Sequence, residues 1–321
     1  MLKLGVTSPA GLERPRTWLG REKHVSALLL PKVQDGEAAD ARRDERILRR
    51  LQLADGTWRE SAPGRLRALD RAVLAVLERD RPRGAPLDVF DLAASSGTTS
   101  VEFYHALRER FRVDFVASDR TREVWAVRTP GSRLTAVIDA DGHVLQYVLG
   151  RFVLPGQGRE SLAYPVNHVL RAACAAIART RLCFVPAHAA GEELCWTTLD
   201  GYEVMRIPLL ASACRALMRR DPHFRYEVVD ILRPLGATAD VIRAMNILNR
   251  SYLSDEQIAT ALRHCLAALR PSGLLVVGRS PADDPAAVRA TVLEKTPFGL
   301  ETAARLGGGS EIEELIPARA S

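Results

Sequence analysis

Ala93, Ser95 and Gly97 stand at alternate positions in a run of small residues, "AASSGTTS", between an apolar stretch and a helical one. A turn of small residues between a strand and a helix leaves backbone N–H groups at the positive end of a helix dipole. It also lets a ligand's polar part come close, where bulk would block it. Asp119 closes the next apolar run, 22 positions after Gly97, near the separation at which a carboxylate accepts from ribose hydroxyls. Together these residues predict a site for an adenosine-containing cofactor. The dinucleotide fingerprint G-x-G-x-x-G and the phosphate loop G-x-x-x-x-G-K-[ST] are both missing from the chain, which argues against NAD and ATP.

These residues need a scaffold, and the surrounding pattern supplies one. "LDVFDLA" reads as a strand, "SVEFYHALRERF" as an amphipathic helix and "VDFVASD" (113–119) as a second strand. That is a βαβ unit whose ligand site lies at the carboxyl ends of its strands. Upstream, Leu66, Leu69, Val73, Leu74 and Leu77 share one helical face, and Gly84 to Pro86 stop that helix. From 121 to about 207 the rhythm breaks: "RLTAVIDADGHVLQYVLGRF" alternates with period two about Asp141-Gly142, a β-hairpin, and "PVNHVLRAACAAIA" reads as a helix. The α/β pattern then returns with a helix in "PLLASACRALMRR", strands in Arg225–Leu232 and "ADVIRAMNIL", a helix in "SDEQIATALRHCLAALR" and a strand in "GLLVVGRS". Two final strands are joined by Pro297-Phe298-Gly299.

With those elements in place, the residues resemble class I S-adenosylmethionine-dependent methyltransferases. "DLAASSGTTS" is similar to their first motif, with Asp91 as its acid and Ala93, Ser95 and Gly97 at its glycine positions; "ASD" ending in Asp119 is similar to the second, the ribose carboxylate. "YEVVDIL" resembles the third, which implies Asp230, with Ile231 beside it, near the adenine. The stretch from "ADVIRAMNILNR" to "LRPSGLLVVGRS" resembles the fourth to sixth. "AMNILNRSYL" and "LLVVGRS" are most similar to the chemoreceptor-type protein glutamate methyltransferases. The likeness covers about 87–119 and 208–305. It implies a Rossmann-like α/β sheet, mostly parallel with an antiparallel terminal strand, and S-adenosylmethionine as cofactor. It also implies a division into a basic helical segment (1–83), a cofactor core (84–120 and 208–310), an inserted α+β subdomain that forms a substrate lid (121–207) and a tail (311–321). At the two positions lacking glycine, Ala93 and Ser95 are expected to avoid the positive φ that glycine permits.

An activated sulfonium methyl asks mainly for in-line alignment and exclusion of water. A hydroxyl or protonated amine acceptor also needs a base with a pKa near neutrality. The candidates are His105, after the first turn, and His143, His168 and His188 in the insertion; a partly exposed surface histidine is the plainer reading of each. Asn246 and Asn249 follow the fourth strand, where the ligand face belongs, and are candidates for the acceptor or the cofactor's amino-acid part, or else form an Asn-mediated turn. Arg243 must face a polar cleft, holding an anionic substrate, or pair with a carboxylate. Tyr252, Tyr104, Trp196 and Tyr202 are pocket or lid candidates set against ordinary core roles.

A chain of 321 residues with 47% hydrophobic and 26% charged residues has the balance of a globular protein. Its net charge of +6 sits wholly in residues 1–83, with 18 Lys/Arg against 12 Asp/Glu, and reads as solvated surface; nucleic acid is not an expected partner. Cys174, Cys183, Cys195, Cys214 and Cys265 contain no C-x-x-C pair and are expected as buried free thiols, with no metal required. The start shows no apolar signal core, and "AACAAIA" is too short to span a bilayer, so a cytoplasmic location is expected. Three functions stay open: transfer to O or N of a small or medium-sized acceptor, anionic or neutral; methylation of a protein carboxylate; or a non-catalytic cofactor-binding module that recruits a partner.

Overall fold

The computed structural model describes residues 1–13, 16–17, 23–31, 41–53, 61–157, 162–182, 191–280, 284 and 287–316. The chain divides into two compact units: residues 61–120 with 213–321, and residues 1–60 with 121–212.

The first of these is a three-layer α/β unit. Its seven-stranded sheet runs in the order β13 (Gly299–Leu306), β12 (Arg289–Thr296), β11 (Leu269–Arg279), β10 (Ala239–Met245), β1 (Pro86–Leu92), β2 (Arg112–Asp119), β9 (Phe224–Val228). The five strands from β11 to β9 pair in parallel; β12 and β13 add two antiparallel steps. The sheet is therefore mostly parallel, but its far edge is a meander: β12 is the antiparallel strand and β13 turns back again. Every residue of β10 is buried, as a central strand covered on both faces demands.

Helix α2 (Arg67–Asp80) turns Leu69, Val73, Val76 and Leu77 inward, and α3 (Thr98–Arg108) fills the step between β1 and β2. Phe103 and Tyr104 of α3 lock onto Phe115 and Phe224 through ring contacts at 5.3–6.0 Å. Helix α6 (Asp255–Ala268) packs Ile258, Leu262 and Cys265 with Ile242, Leu275 and Val277 of the sheet. It begins with a reciprocal capping box between Ser254 and Gln257.

The second unit holds a six-stranded antiparallel sheet in the order β6 (Phe152–Pro155), β5 (Val144–Leu149), β4 (Leu134–Ile138), β3 (Glu123–Arg128), β8 (Tyr202–Pro208), β7 (Thr197–Leu199). The hairpin about Asp141-Gly142 is its β4–β5 pair. Helix α4 (Pro165–Arg181) packs on β5 and β6, and helix α1 (Ala41–Leu48) lies earlier in the same unit. Helix α5 (Ser212–Arg220) begins where the chain returns to the parallel sheet.

Three expectations need correction. The N-terminal segment does not stay together as 1–83: it parts at residue 60, because Val6, Leu12, Val25, Leu29 and Ile47 share a core with Val124, Val137, Met205 and Ile207, whereas α2 covers the parallel sheet. The strand expected over Arg225–Leu232 ends at Val228, since Asp230 turns the chain by accepting the Leu232 N–H at 2.9 Å. The strand expected to run through Leu248 ends at Met245, where Asn246 takes φ +63°.

Candidate functional site

Strand order reverses between β1 and β10: the chain steps from β1 to β2 on one side, and β10 and β11 lie on the other. In such sheets the crevice at the carboxyl ends of the two diverging strands is where ligands bind. The turn after β1 lies there. Ala93, Ser95 and Gly97 have φ of 56°, 56° and 78°, so the three alternate positions share a left-handed conformation although only one is glycine. The expectation that Ala93 and Ser95 avoid positive φ is therefore overturned. Each non-glycine residue there costs about 1–2 kcal/mol, and such strain persists only where the surroundings hold it.

Hydrogen bonds supply that hold. Ala94 N–H donates to Ser118 O at 2.8 Å and Gly97 N–H to Ala94 O at 2.9 Å. Ser95 N–H donates to the Asp119 carboxylate at 2.8 Å, and the Tyr226 hydroxyl donates to Ser95 O at 2.7 Å. Three amides that the sequence reading left available for a ligand are thus spent in closing the turn. Gly97 begins α3 with its φ in the left-handed region, and a Cβ added there would press on Cys214 of α5, 3.0 Å from its Cβ and nearer still to its sulfur. The turn brings Ala93, Ser95, Gly97 and Asp119 together as predicted by their spacing.

Beneath it lies a charged cluster. The Arg243 guanidinium on β10 is 0% exposed. It donates to both Asp91 oxygens at 2.8 and 2.6 Å, to Asp70 of α2 at 2.7 Å and to Thr99 O at 3.2 Å, and it lies 4.3 Å from the Phe103 ring centroid. Ser100 adds a 2.6 Å bond to Asp91. Two assignments fall here. Arg243 holds no anionic substrate, because its donors face two buried carboxylates, and Asp91 faces inward to Arg243 instead of outward to a cofactor. Burial opposes the Arg243 charge, yet Asp91 and Asp70 hold its pKa above the ordinary value. Burial pushes the Asp70 carboxyl up to about 6 against the pull of Arg243. A carboxyl raised on folding binds an extra proton in the folded state, so its contribution to stability is full below its unfolded pKa and is lost as pH rises through about 6. Wild type should therefore lose stability relative to Asp70→Asn between pH 4 and pH 7, as urea midpoints will show; a constant difference across that range would contradict it.

The remaining residues divide plainly. Asn246 accepts the Ser280 N–H at 2.8 Å; Asn249 donates to Asn246 O at 2.9 Å and accepts the Ser251 N–H at 3.0 Å. The Asn249 amide builds the β10–α6 turn, and the Asn246 side-chain oxygen ties that turn to the end of β11. Asp230 makes the turn after β9, and Ile231 is buried in the core under α6. Tyr104 is core, its hydroxyl donating to Asp221 at 2.6 Å. Tyr252 is exposed, and His105 is exposed on α3.

His143, His168, Trp196 and Tyr202 belong to the other unit. Arg128 covers the Trp196 ring at 4.1 Å, and Tyr202 packs beside Trp125 and Val204. His143 lies 3.3 Å from the Asp139 carboxylate. Asp139, Asp141 and His143 bring ligand-type atoms within 4.8 Å of one another, a cluster the sequence reading did not foresee, although Asp139 already accepts the N–H groups of Asp141 and His143. Cys174, Cys214 and Cys265 are buried free thiols, but Cys195 is exposed. His188 and Cys183 lie outside the described residues. Among the described residues no helix is long and apolar enough to cross a membrane.

Sequence reasoning missed Asp70, Ser100, Cys214 and Tyr226. Asp70 did leave a signal, an acid directly beside Leu69 and one turn before Val73 on an apolar helical face. The other three leave none, since their roles depend on chain segments far apart in sequence.

No family model matches this chain, and no curated protein does. Solved structures that align with parts of this chain include the N-methyltransferase NodS from Bradyrhizobium japonicum WM9 with S-adenosyl-L-homocysteine, at 14% identity and TM-score 0.31, over 70% of this chain and 67% of that one. An O-methyltransferase family protein from Burkholderia thailandensis aligns at 11% identity and TM-score 0.32, over 77% and 43%. CalS10, an amino pentose methyltransferase from Micromonospora echinaspora, aligns at 14% and 0.27, over 72% and 63%. This chain thus spans less than two thirds of the length of the last two. Likenesses this distant carry no weight in assigning an activity, which must come from the turn and its sheet.

Proposed function

We propose that this chain is an S-adenosylmethionine-dependent methyltransferase acting on an O or N atom of a small or medium-sized acceptor. The observation that supports the reading is the bend at Ala93, Ser95 and Gly97, left-handed at all three positions and tied by the Ser95 N–H to the Asp119 carboxylate, at the point where the parallel sheet changes direction. The donor set suits a nucleoside. A carboxylate is an acceptor with two oxygens, the partner type that a ribose diol requires. The bend's small residues let the ligand approach the backbone.

The fit is selective. Asp119 and the bend suit the cofactor, Asp230 stands at the end of β9 on the same side of the sheet, and Asp91, Asn246 and Ile231 serve the fold instead. When bound, the sulfonium supplies an already activated methyl group. The protein's task is to grip the nucleoside, align the acceptor and keep water out. Of the described histidine candidates His105, His143 and His168, only His105 belongs to the unit that carries the bend. With Arg243 committed inside the core, no residue singled out here selects an anionic acceptor.

Thermal unfolding tests the reading. A ligand that binds only the folded state adds about 2.7 kcal/mol at one hundred times its dissociation constant. Millimolar S-adenosylmethionine or S-adenosylhomocysteine should therefore raise the melting temperature by several degrees. A melt unmoved by either compound would contradict the proposal.

A further inference from the structure

Helix α4 buries one side and leaves the other bare. Its inner side carries Asn167, Cys174 and Ala178, the last two packed with Leu134, Tyr147 and Leu154 of the antiparallel sheet. Asn167 also pins the chain's start, accepting Lys3 N–H and donating to Lys3 O, both at 2.8 Å. On the outer side Val166, Val169 and Ile177 are 44%, 69% and 43% exposed, and Leu162, just before the helix, is 91% exposed. Ala172, Ala173 and Ala176 are exposed between them. A surface helix ordinarily turns charged residues outward; α4 carries no acid, and of its three arginines Arg171 is half-buried while the exposed Arg179 and Arg181 flank the apolar strip near its end.

We propose that this face joins two copies of the chain, α4 against α4 in antiparallel pairing about a two-fold axis near Ala173. The residue order is self-complementary about that point. Val169 meets the partner's Ile177, Val166 meets the partner's Thr180, and Ala173 meets its own counterpart, where small side chains let two helices approach closely. Thr180 suits an apolar contact because its hydroxyl is already directed to Ala176 O and Ile177 O, both at 3.1 Å. The charges agree as well. In this register Arg171, Arg179 and Arg181 each lie level with an uncharged position of the partner helix, so a helix with three arginines and no acid pairs without facing like charges.

The area decides how strong such a dimer is. Leu162, Val166, Val169 and Ile177 together present a patch of roughly 400 Å² per copy, within the range of the largest functional patches on single chains. Covering it twice and adding a rim brings the total to about 1,000–1,200 Å², the low end for specific interfaces. Association through a face of this size is expected to be weak and reversible. An anionic lipid surface is a poorer occupant, because this face carries no aromatic anchor.

Sedimentation velocity on the full chain from about 1 to about 100 µM tests this. Wild type should pass from the 35.3 kDa species toward twice that mass. Val169→Asp and Ala173→Arg should each weaken association at least 30-fold while leaving the circular dichroism and melting temperature unchanged, since both residues are exposed. A wild-type chain that stays monomeric at the top of this range, with or without binding to anionic vesicles, would overturn the proposal. So would a dimer that both folded variants retain.

Discussion

Arg243→Met should destabilise the parallel-sheet unit by about 3–5 kcal/mol, the usual cost of removing one partner from a buried ion pair and stranding the other. The substitution leaves the Asp91 carboxylate, which took two donors from Arg243, with the Ser100 hydroxyl still donating to it, and it removes the Arg243 donor from Asp70. It also takes a donor from Thr99 O in the first turn of α3 and a cation from the face of Phe103. Asp91 and Asp70 must then gain protons or draw in water, and both are costly in a strand core. The melting temperature should fall by roughly 10 °C or more.

Arg243→Met with Asp91→Leu and Asp70→Leu should recover much of this loss, because replacing every member of a buried charged cluster by apolar groups is often nearly neutral. A melt of Arg243→Met within 1–2 °C of wild type would show that the cluster is not the internal clamp described above.

Gly97→Ala should cost about 2–4 kcal/mol from two separable sources. The left-handed φ of +78° contributes about 1–2 kcal/mol in any L-residue. Overpacking against Cys214 contributes the rest, of the order seen when a methyl group is forced into a filled site. Adding Cys214→Ala removes the sulfur but leaves the Cβ at 3.0 Å, so the double variant should regain only part of the loss. Denaturant midpoints of the four proteins measure this coupling. Strict additivity would mean that the approach of α5 to the bend does not constrain Gly97.

The two clamps explain how much of the site could be read in advance. Period-two and helical patterning marked the strand, turn, helix and second strand around Gly97, and the interval to Asp119 placed an acid at the bend, where it accepts the Ser95 amide. The hairpin about Asp141-Gly142 was legible for the same reason, since its register is written in adjacent residues. Arg243 was legible only as an alternative between cleft and carboxylate. Its partners lie 152 and 173 residues away, and no local pattern names a partner across a sheet.

Backbone strain was also invisible. Ala93 and Ser95 carry no mark of a left-handed conformation, which is imposed by Ser118, Asp119 and Tyr226 from neighbouring strands. Asn246 and Asn249 offered amides at the expected end of β10, but side chains of this kind serve their own turn as readily as a ligand. The early chain's place with the antiparallel sheet rests on apolar contacts between residues more than seventy positions apart, such as those in the core shared by Ile47 and Val124.

The central claim is that the bend at Ala93–Gly97 and the Asp119 carboxylate together hold a nucleoside. Calorimetric titration of S-adenosylhomocysteine into wild type and Asp119→Ala tests it most directly. Hydrogen bonds to a charged acceptor contribute about 1.5–3 kcal/mol. Wild type should therefore bind with measurable heat and Asp119→Ala at least 10-fold more weakly, with Asp119→Asn in between because its carbonyl can still accept the Ser95 amide. Equal affinity in the three folded proteins, or no heat with wild type, would contradict the account.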